Sequence, residues 1–196
     1  FGMGAVTKAR RAEIAEISTE GKPPPLWAVL DDLADDASTA LVEMAPHRRV
    51  GSRMVSWTLL SRRVRELAAG FIQIGVKPGN RVSLLVPPGA DLTAALYACI
   101  RIGAIVVVAD AGLGVTGLGR AVRGARPDYL IGIETALAAA RVLNWPGHRI
   151  STRRLSVPLA RMLGVSYSLG QIARWGAAIL EGGGELPGAP APGACR

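Results

Sequence analysis

From Ser56 to Glu134 the chain alternates helical and strand periodicities three times over with only short turns between, and that alternation restricts it to one class of fold. Ser56 is an N-cap type. Trp57, Leu60, Val64, Leu67 and Phe71 follow it at spacings of three and four, so they share one helical face, and Gly75 stands where a helix ends. The turn Lys77-Pro78-Gly79-Asn80 leads into Arg81–Val86, an apolar run of strand length closed by Pro87-Pro88-Gly89. Asp91 is read as the cap of a second helix through Leu92, Ala95, Leu96, Cys99 and Ile102, ending at Gly103. Ile105–Ala109 is a second strand, apolar on both faces. A helix is expected near Thr116–Gly124, a third strand at Tyr129–Ile133, and a helix capped by Thr135 through Leu143. Strands joined by single helices run parallel through right-handed crossovers. The fold class is therefore α/β, a layered domain with a mainly parallel sheet and crossover helices.

Around this core, residues 1–54 read as an irregular lead-in with one short helix near Leu26–Leu33 and an edge strand at Ala40–Met44. Residues 55–150 form the α/β core and 151–181 a helical segment. That segment holds two helices, Val157–Leu163 and Leu169–Leu180, the latter with Leu169, Ile172, Trp175 and Ile179 on one face. Residues 182–196, rich in Gly, Pro and Ala, read as a linker.

Composition excludes several function classes. The formal charge of +8 rests on 20 Arg and 3 Lys against 15 acids, but the arginines are scattered and lack interleaved aromatics, so no nucleic-acid partner is expected. Two cysteines far apart, Cys99 and Cys195, with only His47 and His148 beside them, supply neither a disulfide framework nor a metal site. A reducing, cytoplasmic compartment fits that usage, and the first residues carry charges in place of the apolar core of a secretory signal. The apolar stretch Leu92–Ala109 holds Arg101 and Gly103 at its middle, which suits two buried elements joined by a turn better than a membrane span.

Gly112, Gly114 and Gly117 form a G-x-G-x-x-G pattern after a strand and before a helix, with Glu134 near the end of the next strand. A Rossmann-type NAD(P)-binding domain would set a pyrophosphate on that helix start and a ribose hydroxyl on Glu134. Asp110, beside the place the phosphates would take, argues against that alternative. His148, Arg149, Arg153 and Arg154 are candidate contacts for an anionic cofactor such as coenzyme A. The last two helices combine apolar faces with Arg153, Arg154, Arg161 and Arg174, the composition of a weak peripheral membrane contact.

The wording from Val55 to Leu143 resembles the opening of the adenylate-forming acyl ligases, the superfamily of acyl-CoA synthetases and luciferases. The resemblance rests on Val55-Ser56-Trp57 with Leu60, on Ala68-Ala69-Gly70, and on Gly75-Val76-Lys77-Pro78-Gly79-Asn80-Arg81-Val82. It continues through Val86-Pro87, Gly103-Ala104 and Asp128–Gly132. Val107–Gly114 and Ala125–Ile133 are most similar to a branch holding bacterial fatty-acid ligases and olefin beta-lactone synthetases. Asn80 stands where the family usually has Asp, and Pro88 where it has Asn. The resemblance implies the N-terminal subdomain of the adenylate-forming fold, in an enzyme that joins a fatty-acid-like carboxylate to ATP as acyl-AMP and passes the acyl group to coenzyme A, or to an internal hydroxyl in a beta-lactone-forming synthetase. It also implies that the Pro-Lys-Gly phosphate loop and the catalytic Lys lie past Arg196. The chain is accordingly expected to be a catalytically incomplete part, its partner the remainder of the ligase. No catalytic residue or metal ligand is assigned. ATP, Mg²⁺ and coenzyme A belong to the complete enzyme, and none is expected bound to this chain alone.

Overall fold

The computed structural model describes residues 25–44, 51–108 and 114–186. The chain enters through a short helix α1 (Ala28–Asp32) and an antiparallel hairpin of β1 (Thr39–Met44) and β2 (Ser52–Ser56). Ser56 ends β2 and caps α2 (Trp57–Gln73), its Oγ accepting the Leu59 N–H at 3.3 Å. Of the expected apolar face, Leu60, Val64, Leu67 and Phe71 are buried and Trp57 is half-buried, and a second set, Ser61, Ala68, Ala69 and Gly70, is buried beside it. Gly75 (φ +95°) closes the helix: its N–H reaches the Ile72 carbonyl and the Val76 N–H reaches that of Phe71, a left-handed turn that suits a residue without Cβ.

The remaining elements are β3 (Arg81–Leu85), α3 (Ala90–Arg101), β4 (Ile105–Val108), α4 (Gly114–Ala125), β5 (Tyr129–Gly132), α5 (Glu134–Val142), β6 (His148–Ser151), α6 (Val157–Leu163), β7 (Val165–Ser168) and α7 (Leu169–Glu181). They build a parallel sheet of order β4-β3-β5-β6-β7. The parallel α/β expectation therefore holds, and the sheet runs on past residue 150. The strands β6 and β7 escape the sequence pattern because neither is an apolar run, reading His-Arg-Ile-Ser and Val-Ser-Tyr-Ser, and β7 passes directly into the cap of α7.

Handedness sets the layers. The connection from β3 to β4 runs one way along the sheet, and those from β4 to β5, β6 and β7 run the other, so right-handed crossovers put α3 on one face and α4, α5 and α6 on the opposite one. Val82, Leu84, Ile131 and Ile150 meet α2, α3 and α7 in the larger core, whereas Leu85 and Leu130 meet Val122, Ala140 and Trp145 in the smaller. The alternation of the pleat sends neighbouring residues to different cores.

Several local expectations are revised. Asp91 lies in the first turn of α3, whose N-cap is Gly89. Thr135 lies inside α5, whose N-cap is Ile133. On α7 the buried residues are Leu169, Ile172, Ala173 and Gly176, while Trp175 is 41% exposed with its ring edge-on to Tyr167. The strand β4 is a sheet edge with Val108 59% exposed, not a fully buried element.

Candidate functional site

Where the connection direction reverses, between β3 and β5, the loops leaving the carboxyl ends of the strands diverge and open a crevice. A cleft of about 820 Å³ lies there, lined by Val86–Gly89 after β3, Ile133 after β5, Thr152 and Arg153 after β6, and the β1–β2 hairpin. Its walls mix Leu41, Met44, Val86 and Ile133 with Glu43, Arg53 and Arg153.

Glu43 organises the charge. Cross-strand register sets it opposite Arg53, whose Nη1 lies 3.8 Å from Oε2, while Oε1 accepts the Ala90 N–H at 2.7 Å. A carboxylate from the hairpin thus sits on the first turn of α3, against the positive end of that helix. Gly89 makes room for it, since a Cβ there would lie 2.6 Å from Oε1. A second cleft of about 620 Å³ shares Glu43, Arg53, Asp91 and Arg153 and adds Arg62, Arg63 and Glu66. There Glu66 takes Arg62 at 2.8 Å and Arg63 at 3.9 Å. Neither Glu43 nor Arg53 was legible as a site residue in the sequence, because only the hairpin pairing brings them to α3.

Of the sequence candidates among the described residues, Arg153 lines both clefts and the others do not. Asp110 and Gly112 lie outside the described residues. Gly114 opens α4, Gly117 lies one turn into it, and Glu134 is an exposed residue in the first turn of α5. A dinucleotide fingerprint needs its glycine strand beside the strand bearing the acid. Here β3 separates β4 from β5, putting two strand spacings, about 10 Å, between their ends. His148 and Arg149 start β6 whereas Arg153 and Arg154 follow its end, so the four do not converge. The Arg149 guanidinium reaches the Ala140 and Trp145 carbonyls at 3.4 and 3.3 Å. Burial, and then the neighbouring Arg141 charge, hold its pKa below the usual arginine value.

Neither a reactive thiol nor a metal-ligating cluster is found among the described residues. Cys99 is fully buried on α3, and burial pushes its thiol up to about 12, so the nucleophilic thiolate is suppressed. Among the described residues no group of three His, Cys, Asp or Glu converges on a point that could hold a metal ion. A nucleoside triphosphate does not fit either: the helix start at the end of β3, the natural phosphate position in such a crevice, already carries the Glu43 carboxylate.

Residues 35–165 match the model of the family described as AMP-binding enzyme. The chain is 38% identical over 112 residues to the feruloyl-CoA synthase of an Amycolatopsis species, covering 53% of this chain and 23% of that protein. It is 28% identical over 131 residues to the olefin beta-lactone synthetase of Stenotrophomonas maltophilia, covering 63% of this chain and 24% of that protein. The chain spans about a quarter of the length of these curated relatives. Its fold superposes on the A-PCP didomain of carboxylic acid reductase from Segniliparus rugosus, solved in complex with AMP, with a TM-score of 0.68 at 17% identity over 94% of this chain and 30% of that one.

Proposed function

The chain belongs to the AMP-binding enzyme family, and from that premise we propose that it serves as the N-terminal scaffold of an ATP-dependent ligase that activates a carboxylic acid as its acyl-adenylate. The single observation carrying the proposal is the family match over residues 35–165, which takes in the hairpin and the sheet from β3 to the start of β7. In such an enzyme a carboxylate oxygen attacks the α-phosphorus of ATP, the bond to the pyrophosphate leaving group breaks, and an acyl phosphate anhydride remains. Charge developing on the phosphates is met by donors and Mg²⁺ held in fixed positions. The described residues do not fit the triphosphate or the metal, so no step is routed through them. Their part is positional: the five-stranded sheet fixes the crevice, and the Glu43–Arg53 pair joins the hairpin to α3 at its rim.

The acyl class expected from the sequence is a fatty acid. The relative named feruloyl-CoA synthase adds an aromatic acid as a second class to test, with coenzyme A as acceptor. The likeness to an olefin beta-lactone synthetase favours one alternative, internal capture of the acyl group by a hydroxyl of the substrate.

Pyrophosphate exchange into ATP is the deciding measurement. The 196-residue chain alone is expected to give none with a long-chain fatty acid or with ferulic acid. A polypeptide lengthened by the segment that its relatives carry beyond this region is expected to exchange with one of them. Exchange by the short chain would overturn the scaffold assignment, and silence of the lengthened one with both acids would overturn the ligase assignment.

A further inference from the structure

Between Glu134 and Glu181 the chain carries six arginines and no carboxylate. The fold turns that bias into a surface. The helices α5 and α6 both return from the carboxyl to the amino ends of the strands, they lie on the same face of the sheet, and they touch. Their C-terminal turns therefore meet at one corner, beside the start of β6. The helices α6 and α7, paired by sequence as one membrane-contacting surface, instead sit on opposite faces, because α7 packs on α2.

Arg141 and Val142 end α5, and Arg161 and Met162 occupy the last turn of α6. Arg149 stands between the two helices. Its Nη2 reaches the carbonyls of Ala140 in α5 and of Trp145 in the turn after it, and its Nη1 lies 3.1 Å from where a Cβ would sit on Gly164, the C-cap of α6. Among the described residues no acid pairs with any of these three guanidiniums. The carboxylate of Asp128, at the start of the neighbouring strand, is held by the Arg81 N–H at 2.8 Å and by Asn80 at 3.2 Å. Val142 is 83% and Met162 63% exposed, so two aliphatic side chains project from among like charges that repel one another. The repulsion is felt within the protein: besides burial, the Arg141 charge holds the Arg149 guanidinium below its ordinary pKa.

We propose that this α5–α6 corner is a docking surface for an anionic lipid bilayer. Arg141, Arg149 and Arg161 would face headgroup phosphates, and Val142 and Met162 would enter the interface. An anionic surface relieves the unneutralised arginines, and the protruding aliphatic groups gain by leaving water. A nucleic acid would satisfy the charges alone, because Val142 and Met162 offer bases no ring to stack on. No helix among the described residues is long and apolar enough to cross a membrane, and the contact needs none.

Co-sedimentation of the full chain with vesicles tests the surface independently of any nucleotide chemistry. The chain is expected to sediment with vesicles of equal parts phosphatidylcholine and phosphatidylglycerol, to be released by high salt, and to stay in solution with phosphatidylcholine alone. Arg141→Gln with Arg161→Gln should lower partitioning about five-fold for each guanidinium removed. Val142→Ser with Met162→Ser should lower it with the charge intact. Arg65→Gln, an exposed change on α2 across the sheet, should leave it unchanged. All these side chains are exposed, so unchanged thermal unfolding is expected to accompany every variant. Equal binding to neutral vesicles would overturn the proposal. So would insensitivity to the aliphatic pair, an equal loss with Arg65→Gln, or tighter retention by duplex DNA than by anionic vesicles.

Discussion

Gly176 and Gly70 mark where α7 crosses α2 with backbones in contact. A Cβ on Gly176 would land on the Glu66 carbonyl oxygen, and one on Gly70 on the Ile172 carbonyl oxygen, obstacles that no rotamer change can move. Gly176→Ala is therefore expected to destabilise the fold by about 1–3 kcal/mol, read as a lowered denaturation midpoint. Gly119 in α4 is different in kind: a Cβ there would stand 3.5 Å from Trp145 Nε1, ordinary contact. Cys99 makes a second prediction at this scale. Its thiol ordinarily titrates near 9, and burial pushes it up to about 12 in the folded state. A group whose acid form the fold favours contributes stability below its unfolded pKa and loses it as the pH climbs through the folded one. The chain is thus expected to lose stability between pH 9 and about 12, and a Cys99→Ala variant should show a shallower loss over that range. In a Cys195→Ser background the Cys99 thiol should react with an aromatic disulfide no faster than the chain unfolds.

Among the elements, α7 is the one whose start is set most completely by local chemistry. Ser168 and Gln171 form a reciprocal cap: the Gln171 N–H donates to Ser168 Oγ at 3.4 Å, and the Ser168 N–H to Gln171 Oε1 at 3.0 Å. Ser168→Ala is expected to cost about 1 kcal/mol, visible as a shift in the urea midpoint with an unchanged slope. The start of α3 is set at a distance, since Glu43 reaches it from the hairpin. The same contrast separates α2 from α1. Ser56 caps α2 locally, whereas α1 is held by Arg101 of α3, which bonds Asp31 at 2.8 Å and lies 4.4 Å over the Trp27 ring. Arg101, read from sequence as the residue that disqualifies a membrane span, proves to be a buried tether between a helix and the lead-in.

On the scale of the whole molecule, the sheet and its two helical layers form one cooperative unit that does not end at residue 150. The edge strand β7 extends the sheet and α7 closes the core over α2, burying Leu169, Ile172 and Ala173 with Ile131 and Ile150. A chain stopped after Ile150 would leave the second buried side of α2 in water. Each large aliphatic exposed would cost about 2 kcal/mol. Such a truncation is expected to lose the sigmoidal thermal transition and the near-ultraviolet circular dichroism that the longer chain shows. The layers also explain why basic residues dispersed in sequence converge at one corner, since right-handed crossovers send α5 and α6 along one face in the same direction.

What the residues determined by themselves is whatever a local period or a family pattern can carry. The helix α2 was legible from Ser56 and its spacing of apolar residues, β3 and β5 from short apolar runs between turns, and β4 from its β-branched run. Parallel order followed because each strand is separated from the next by a single helix. The resemblance over Val55–Leu143 named the superfamily to which the match over residues 35–165 assigns the chain. Only the tertiary structure decided the rest. It put β3 between β4 and β5, which parts Glu134 from Gly114 and Gly117 at the start of α4. It laid Glu43 on α3, separated α6 from α7, and brought Arg141, Arg149 and Arg161 together. The physical reason is common to all four: the order of strands and the meeting of distant side chains depend on handedness and on packing between elements, and neither leaves a period in the chain.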